Sequence, residues 1–415
     1  MTAVEFYDRA PIENVISSLT TAPDKIIFIG DGDVLAETLY IYKNFIAKRG
    51  LPITIDHRAI DKSDIENIVK VLSKIVETED ELVFDLTGGD DLVLVAMGVV
   101  YQKYSDRNIK MQRFNVREDF VIDCDYDGSI LYEGRPELTV AENIELHGGA
   151  IRYKKDGETV TRKWGLTDDF LADINKMWSI CKMDPGRWNA EIDVFTVINK
   201  YFLNDLYARF SLKDLKSKLK SEKIKYTAIN TLLELLNAKK IIRNLSVNGE
   251  DYSFCYKNDQ IRDALNAAGT VLELKVLAIA SKLETSCGTP FYNSVMSGVF
   301  IDWDGDFHSR YDADKDTENE IDAVLMRGTV PVFISCKNGS IKEIESYKLD
   351  AVATRFGGKY VKKALIATYL GANADIKHLE KRMQDMNINF IYNVHKLSEE
   401  KFAEKIRELV KFNEE

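Results

Sequence analysis

Strand and helix patterns alternate along the first 150 residues of the chain. Apolar runs predict buried strands at 25–30, 53–56, 81–86 and 109–116, and apolar residues three or four positions apart predict helices between them. Asp127-Gly128 indicates a further hairpin, and His147-Gly148-Gly149 marks the end of this unit. The order predicts a Rossmann-like α/β domain with a parallel sheet over residues 1–150.

The stretch 322–337 has a different pattern, with two apolar strands joined at Gly328-Thr329, which is typical of a β-hairpin. A turn centred there places Asp322 opposite Ser335 and Glu320 opposite Lys337, about 5 Å apart. Alternation puts these four polar groups on one face of the sheet. The other face is expected to pack against helices through Ile321, Ala323, Leu325, Val332, Ile334 and Cys336. The hairpin therefore predicts one core face and one face that holds a site.

Two carboxylates and a lysine at the end of a sheet need a physical reason, because an unpaired charge removed from water costs several kcal/mol. A structural ion pair is one interpretation. The other is a metal site, in which hard oxygen ligands hold Mg²⁺ or Mn²⁺ while Lys337 stabilises a phosphoryl transition state or positions the attacking water. This layout is the PD-(D/E)xK pattern of nucleases.

The segment 151–262 is helical and then basic. Nine Lys or Arg against three Asp or Glu lie between residues 211 and 243, and two short helices are followed by strands that turn at Asn248-Gly249, in the order of a winged helix. One interpretation is a nucleic-acid contact surface formed by Lys216, Lys218, Lys220, Lys223 and Lys225. The other is a solvated basic face on a spacer or dimerisation module.

The composition is that of a globular protein, with 45% hydrophobic residues over 415 positions. No apolar run approaches the roughly 20 residues of a membrane helix, and the first residues lack the regions of a signal peptide, so we expect a cytoplasmic protein. The five cysteines and five histidines show no zinc-ligand spacing, so any metal is expected to be held by carboxylates. The net charge of −11 is weak evidence against a protein coated in nucleic acid.

Two glycine loops follow predicted strands, Gly30-Asp31-Gly32-Asp33 and Thr87-Gly88-Gly89-Asp90. In parallel sheets ligands collect at the carboxyl ends of strands, where glycine lets backbone amides approach phosphate. Neither loop completes GxGxxG, so dinucleotide binding is not favoured and an ordinary tight turn stays open. The aspartates would repel phosphate unless they meet ribose hydroxyls or adenine amino groups.

The order of elements after residue 263 resembles a known family. The first element is a helix with Gly-Thr-Val-Leu-Glu273, and the second is a strand near 295–303. The hairpin comes next, followed by the segment Tyr-Lys-Leu-Asp-Ala-Val-Ala-Thr-Arg-Phe-Gly-Gly. This order is similar to the nuclease half of the type III CRISPR ancillary effectors that carry an N-terminal CARF domain and respond to cyclic oligoadenylates. By position, Asp322 resembles the first acid of their motif, Lys337 its lysine and Glu273 the helix acid.

The chain departs from the family at Ser335, where the motif has an acid two residues before the lysine. The resemblance then implies that Glu320 or Glu273 supplies the second carboxylate. With Asp322, the backbone carbonyl of Cys336 and water, that carboxylate would complete the octahedron of Mg²⁺.

The resemblance also implies a ligand and a partner. The two glycine loops of each of two subunits would enclose a cyclic oligoadenylate, and cyclic tetra-adenylate is the expected ring. The loop residues are Gly30, Asp31, Gly32, Thr87, Gly88, Gly89 and Asp90. The chain is therefore expected to be a homodimer. Its parts would be a CARF-like sensor over 1–150, a winged-helix-like linker over 151–262 and a nuclease domain over 263–415.

The implied function is a ring-activated, metal-dependent endonuclease of antiviral defence that hydrolyses phosphodiesters in single-stranded RNA or DNA, or nicks duplex DNA. Two alternatives stay open. One is a ligand-responsive nucleic-acid-binding regulator with an inactive nuclease-like domain. The other is a resolvase-like repair endonuclease without a nucleotide signal.

Overall fold

The computed structural model describes residues 1–124, 128–155, 158–306, 317–369 and 373–411. The N-terminal part is a seven-stranded sheet in the order β3-β2-β1-β4-β5-β6-β7. Its first five strands are parallel and the last two are antiparallel. The strands are β1 (Thr2–Tyr7), β2 (Lys25–Gly30), β3 (Thr54–Ala59), β4 (Leu82–Asp85), β5 (Ile109–Asn115), β6 (Phe120–Asp123) and β7 (Ile130–Glu133). The predicted Rossmann-like architecture is confirmed, while the predicted turn residue Asp127 lies outside the described residues.

The sequence prediction missed β1, which is buried along its whole length in the middle of this sheet. Glu5 interrupts its apolar run, and a charged residue is rarely placed in a strand that is covered on both faces. The helices that cover the sheet begin after the strands: α1 (Pro11–Leu19), α2 (Gly32–Arg49), α3 (Ile65–Thr78), α4 (Asp91–Lys103) and α5 (Val140–Leu146).

The middle part begins with three two-residue strands, β8 (Ala150–Ile151), β9 (Lys154–Lys155) and β10 (Glu158–Thr159), and continues as helices around a four-stranded sheet in the order β11-β12-β14-β13. Its helices are α6 (Asp168–Cys181), α7 (Pro185–Tyr201), α8 (Leu212–Ser221), α9 (Asn230–Ala238) and α10 (Asp259–Ala264). Its strands are β11 (Leu203–Asn204), β12 (Tyr207–Ser211), β13 (Ile242–Asn248) and β14 (Asp251–Tyr256). Two helices followed by an antiparallel hairpin is the order that the sequence predicted.

The C-terminal part is a six-stranded mixed sheet in the order β19-β18-β17-β16-β15-β8. Its strands are β15 (Ser294–Asp302), β16 (Glu318–Arg327), β17 (Val330–Lys337), β18 (Lys362–Ala367) and β19 (Ile388–Ile391). Its helices are α11 (Thr270–Lys282), α12 (Ile344–Gly357), α13 (Asn373–Asp385) and α14 (Glu399–Glu408), with a 3₁₀ turn at Val394–Lys396. The strand β8, at the boundary predicted between the first two domains, pairs with β15 in this sheet.

The N-terminal and C-terminal sheets share one hydrophobic cluster. Phe28 and Tyr42 of the first sheet layer belong to the same cluster as Phe333 and Phe356 of the second, with Val140 of α5 also in it. Shared apolar burial of this kind opposes independent movement of the two parts. None of the helices formed by the described residues has the length and apolar character needed to cross a membrane.

Candidate functional site

The β16–β17 hairpin turns at Gly328 and Thr329. Gly328 has a φ of 62°, a conformation that glycine adopts without strain. Ala323 lies opposite Ile334 and Leu325 opposite Val332, so the predicted register is confirmed. The register is set locally, because the turn and the alternation of apolar residues both require it.

The two strands part beyond Ala323 and Ile334, and we call the gap between Asp322 on one strand and residues 335–337 on the other the fork. From there β16 continues beside β15 and β17 continues beside β18. Asp322 fills the fork, since its Oδ2 accepts the amide N–H of Cys336 at 2.6 Å and the hydroxyl of Ser335 at 3.1 Å. Because the N–H and C=O of one residue point to the same side of a strand, the Cys336 carbonyl also faces the fork.

The expectation that one face of the hairpin is core and the other a site is wrong for the second face. Val324 and Phe333, on the face of Asp322, are fully buried in the same cluster as Val352 of α12. Helices cover both faces of this hairpin, since Ala323 and Ile334 lie in one cluster with Leu274 of α11 and the face of Asp322 packs on α12. Only the forked end, where Glu320 is exposed, reaches solvent.

Lys337 forms an ion pair that the sequence did not indicate. Its Nζ lies 3.1 Å from Oε2 of Glu345 in the first turn of α12, and 3.7 Å from Oδ2 of Asp322. The prediction that Glu320 lies opposite Lys337 is wrong, because the β16–β17 pairing ends at Ala323 and Glu320 lies opposite Phe300 of β15. Burial lowers the pKa of Lys337, but Asp322 and Glu345 outweigh burial and leave the pKa raised, so the ammonium group stays charged.

Glu273, on α11, approaches the same charges from another element. Burial raises the pKa of Glu273 to about 8, with a further contribution from the negative charges of Asp322 and Glu320 and an opposing one from Lys337. Burial also raises the pKa of Asp322, and partial burial together with the charge of Asp322 raises that of Glu320, although its side chain reaches solvent. The structure therefore brings together the four charged side chains that the sequence grouped as a site.

A cavity of about 270 Å³ opens beside the fork. Its charged and polar lining residues are Glu318, Asn319, Glu320, Asp322, Ser335, Lys337, Glu345 and Lys348. Lys348 lies one helical turn after Glu345 and is exposed, so it adds a second cation at the mouth. The lining holds four carboxylates and two ammonium groups, and the ammonium groups are suited to the negative charge of a phosphate.

The residues fit a hard cation in their chemistry. Among the described residues, no three His, Cys, Asp or Glu side chains are arranged as a metal-holding group. Mg²⁺ commonly takes only one or two protein carboxylates and keeps several waters. Burial and then the negative charge of Asp322 raise the pKa values of both Glu273 and Glu320, and carboxylates in such surroundings favour a proton or a cation between them.

The two glycine loops lie at one edge of the N-terminal sheet, on either side of β1. The strand order changes direction between β1 and β4, which is where ligands bind in open α/β sheets. A Cβ on Gly30 would lie 2.6 Å from the carbonyl oxygen of Tyr7, and one on Gly88 would lie 3.1 Å from Glu13. Close approach to backbone therefore requires glycine at position 30, and at position 88 a side chain would be crowded by Glu13.

The aspartates of these loops cap helices. Asp31 accepts the amide N–H groups of Asp33 at 2.9 Å and Val34 at 3.3 Å, and Asp90 accepts that of Leu92 at 3.3 Å. Each carboxylate satisfies a helix N-terminus that could otherwise bind an anion. Contacts from Asp31 and Asp90 to ribose or adenine stay a prediction.

The lysines of the middle part are exposed. They lie on α8 and in the loop after it, at Lys216, Lys218, Lys220, Lys223 and Lys225. Lys216 rests over the ring of Tyr226 at 4.9 Å and Lys218 over that of Tyr201 at 4.6 Å. A contact surface and a solvated face both predict this exposure, so both interpretations stay open.

Comparison with known proteins identifies the fold. No protein-family model and no curated protein matches the sequence. The solved structure of Can2 from Sulfobacillus thermosulfidooxidans, in complex with cyclic tetra-adenylate, aligns with a TM-score of 0.65 at 16% identity, over 99% of this chain and 97% of Can2. The chain has the fold of Can2. Protein VC1899 from Vibrio cholerae aligns with a TM-score of 0.70 at 18% identity, over 99% of this chain and 96% of its own.

Proposed function

We propose that the chain is a metal-dependent endonuclease of type III CRISPR antiviral defence, activated by a cyclic oligoadenylate. The observation that carries the proposal is the convergence of Glu273, Glu320, Asp322 and Lys337 at the strand fork. A fold hosts many activities, so this cluster, rather than the likeness to Can2, points to phosphodiester hydrolysis. The likeness to a structure that holds cyclic tetra-adenylate supports the choice of activator.

Each side chain at the fork has a distinct part in this proposal. The ammonium of Lys337 stabilises negative charge that develops on the phosphate, and Glu345 holds that ammonium in place. Asp322, which lines the cavity, is fixed through its Oδ2 by the Cys336 amide and by Ser335. Ser335, in the position of the motif's acid, therefore acts as an orienting hydrogen-bond donor.

Mg²⁺ or Mn²⁺ would be held by Glu273, Glu320, Asp322 and the Cys336 carbonyl. Such an ion polarises the phosphate and lowers the pKa of water. The raised pKa values of the acids mean that each binds a proton more readily than usual, and a divalent cation would displace that proton.

The activator site is proposed at the carboxyl edge of the N-terminal sheet, with Gly30 and Gly88 at the points of closest backbone approach. A ring of repeated adenylates presents the same groups to two copies of a protein. A two-fold homodimer would therefore contact it with two identical sets of loops.

One helix connects the proposed activator site to the fork. Gly88 packs against Glu13, and Glu13 lies 3.5 Å from Lys359, just after the end of α12. The first turn of the same helix carries Glu345, which pairs with Lys337. The lysine of the Glu13–Lys359 pair is exposed, and at 3.5 Å such a pair contributes little energy by itself. We therefore propose that α12 moves as a rigid unit when the loop closes on the ring.

The test uses labelled single-stranded RNA, single-stranded DNA and duplex DNA, with Mn²⁺, and with or without cyclic tetra-adenylate. Cleavage that needs both Mn²⁺ and the ring, and that is absent in Asp322→Ala, is expected. Ring-dependent binding without cleavage would favour the regulator with an inactive nuclease-like domain. Cleavage that is indifferent to the ring would favour the resolvase-like enzyme.

A further inference from the structure

A second pocket, of about 500 Å³, lies at the turn end of the β16–β17 hairpin. Asp322 and Arg327 are five residues apart on an extended strand, so this pocket is about 17 Å from the fork. Its charged lining residues are Arg117, Asp119, Arg135, Arg327, Arg407 and Lys411. Five cations thus face one carboxylate along the described lining, in a chain whose net charge is −11.

Two of the arginines share one aromatic ring. The guanidinium carbon of Arg327 lies 3.8 Å from the centre of the Phe291 ring, and that of Arg407 lies 4.6 Å from it. Arg327 donates to the Phe291 carbonyl at 3.1 Å and Arg407 to the Glu284 carbonyl at 2.8 Å. Neither guanidinium has a carboxylate partner within the described part of the chain. Each keeps further N–H donors for a ligand.

The surroundings hold these groups in place. The Tyr292 hydroxyl donates to the Ile406 carbonyl at 2.6 Å, which fixes α14 beside Phe291. Arg135 lies against the hairpin turn, where a Cβ on Gly328 would meet its side chain at 2.3 Å. Arg135 also donates through Nε and Nη2 to one oxygen of Asp119, at 2.8 and 2.5 Å.

The crowding of cations has an electrostatic cost that a bound anion would remove. Burial lowers the pKa of Arg327, and the positive charges of Arg135 and Arg407 lower it further, against the opposing charge of Asp119. Phe291 is only 9% exposed and already carries two guanidinium groups, so its ring offers no open face to a base. Recognition is therefore expected through an anionic group rather than through stacking.

We propose that this pocket binds a phosphate group. Guanidinium forks match phosphate oxygens with paired hydrogen bonds, and the volume is in the range of small-ligand sites. The phosphate could belong to a free nucleotide or to a nucleic-acid strand. The pocket shares no residue with the acid–lysine fork, so it does not depend on the proposed nuclease activity.

Isothermal calorimetry of the full chain, in EDTA and at low ionic strength, tests the proposal with three probes: inorganic phosphate, adenosine monophosphate and a single-stranded oligonucleotide. The double variant Arg327→Gln/Arg407→Gln should bind about tenfold more weakly or worse. Lys411→Gln, at an exposed position on the rim, should weaken binding by about twofold to threefold without affecting folding. The matched control is Arg187→Gln, whose guanidinium pairs with Glu191 at 2.8 Å outside this pocket.

Binding of phosphate or the mononucleotide that is lost in the variants would assign the pocket to a free ligand. Binding of the oligonucleotide alone, lost in the same variants, would assign it to a strand phosphate. Either result supports a phosphate site. The proposal is overturned if the wild-type chain binds none of the three probes, or if the pocket variants bind them as tightly as Arg187→Gln does.

Discussion

Glu345→Gln is expected to slow cleavage about tenfold while the chain stays folded, because Glu345 holds the ammonium group of Lys337. The two charged atoms are 3.1 Å apart, and the side chains are 30% and 21% exposed. At an effective dielectric constant of about 20, unit charges at this separation attract by about 5 kcal/mol. Desolvation of both groups offsets most of that attraction. A net loss of about 1–2 kcal/mol remains, which corresponds to roughly five- to thirtyfold in rate.

The loss should appear in kcat and leave KM nearly unchanged, because the charge that Lys337 faces develops in the transition state. Glu345 helps to raise the pKa of Lys337, so its removal lowers that pKa. The ammonium is then lost at a lower pH as the pH rises, and the alkaline limb of the rate profile should move toward neutrality.

The matched control is Glu343→Gln, two residues earlier. Glu343 pairs with Arg382 at 2.9 Å, with side chains 42% and 37% exposed, and an exposed pair contributes about 0.2–1 kcal/mol at most. Steady-state kinetics on one labelled strand, with saturating Mn²⁺ and cyclic tetra-adenylate, compares the two variants. If Glu345→Gln matches Glu343→Gln in kcat and in its pH profile, the positioning role of Glu345 is refuted.

Further expected outcomes concern the acid, the ring and the core. Asp322→Ala should abolish cleavage and leave calorimetric ring affinity unchanged, and near-normal turnover would contradict its role. Gly88→Val should weaken ring binding about tenfold, because its Cβ would press on Glu13. The control Gly98→Val, where a Cβ meets nothing within 4 Å, should bind the ring normally. Equal affinities of the two variants would exclude the loop from the ligand site. Burial raises the pKa of Glu5 well above its usual value, so its contribution to stability is present at low pH and is lost as the pH rises past the ordinary glutamate range toward the raised pKa. Glu5→Gln lacks that loss, so the difference in Tm between the variant and wild type should grow as the pH rises above the ordinary glutamate range. A constant difference would show that the pKa of Glu5 is not raised in the folded chain.

The sequence alone determined the features that depend on local periodicity. Alternation around Gly328 predicted the hairpin register, because a one-residue slip would turn every apolar side chain of the two strands to the wrong face. The strands β2 to β5 and the helices between them followed from the same kind of pattern. The grouping of Asp322 with Glu320 and Lys337 also followed, since residues near the open end of a hairpin lie together once the turn is placed.

Only the tertiary structure decided the remaining features. Strand β1 lies at the centre of its sheet although Glu5 breaks its apolar run, because neighbours on both sides supply the pairing that the local sequence does not favour. Glu345 reaches Lys337 because the first turn of α12 packs beside the forked end of the hairpin. The arginine pocket combines Arg135, Arg327 and Arg407, which are far apart in sequence. Such contacts depend on how sheets and helices pack, and no periodicity of the chain records that packing.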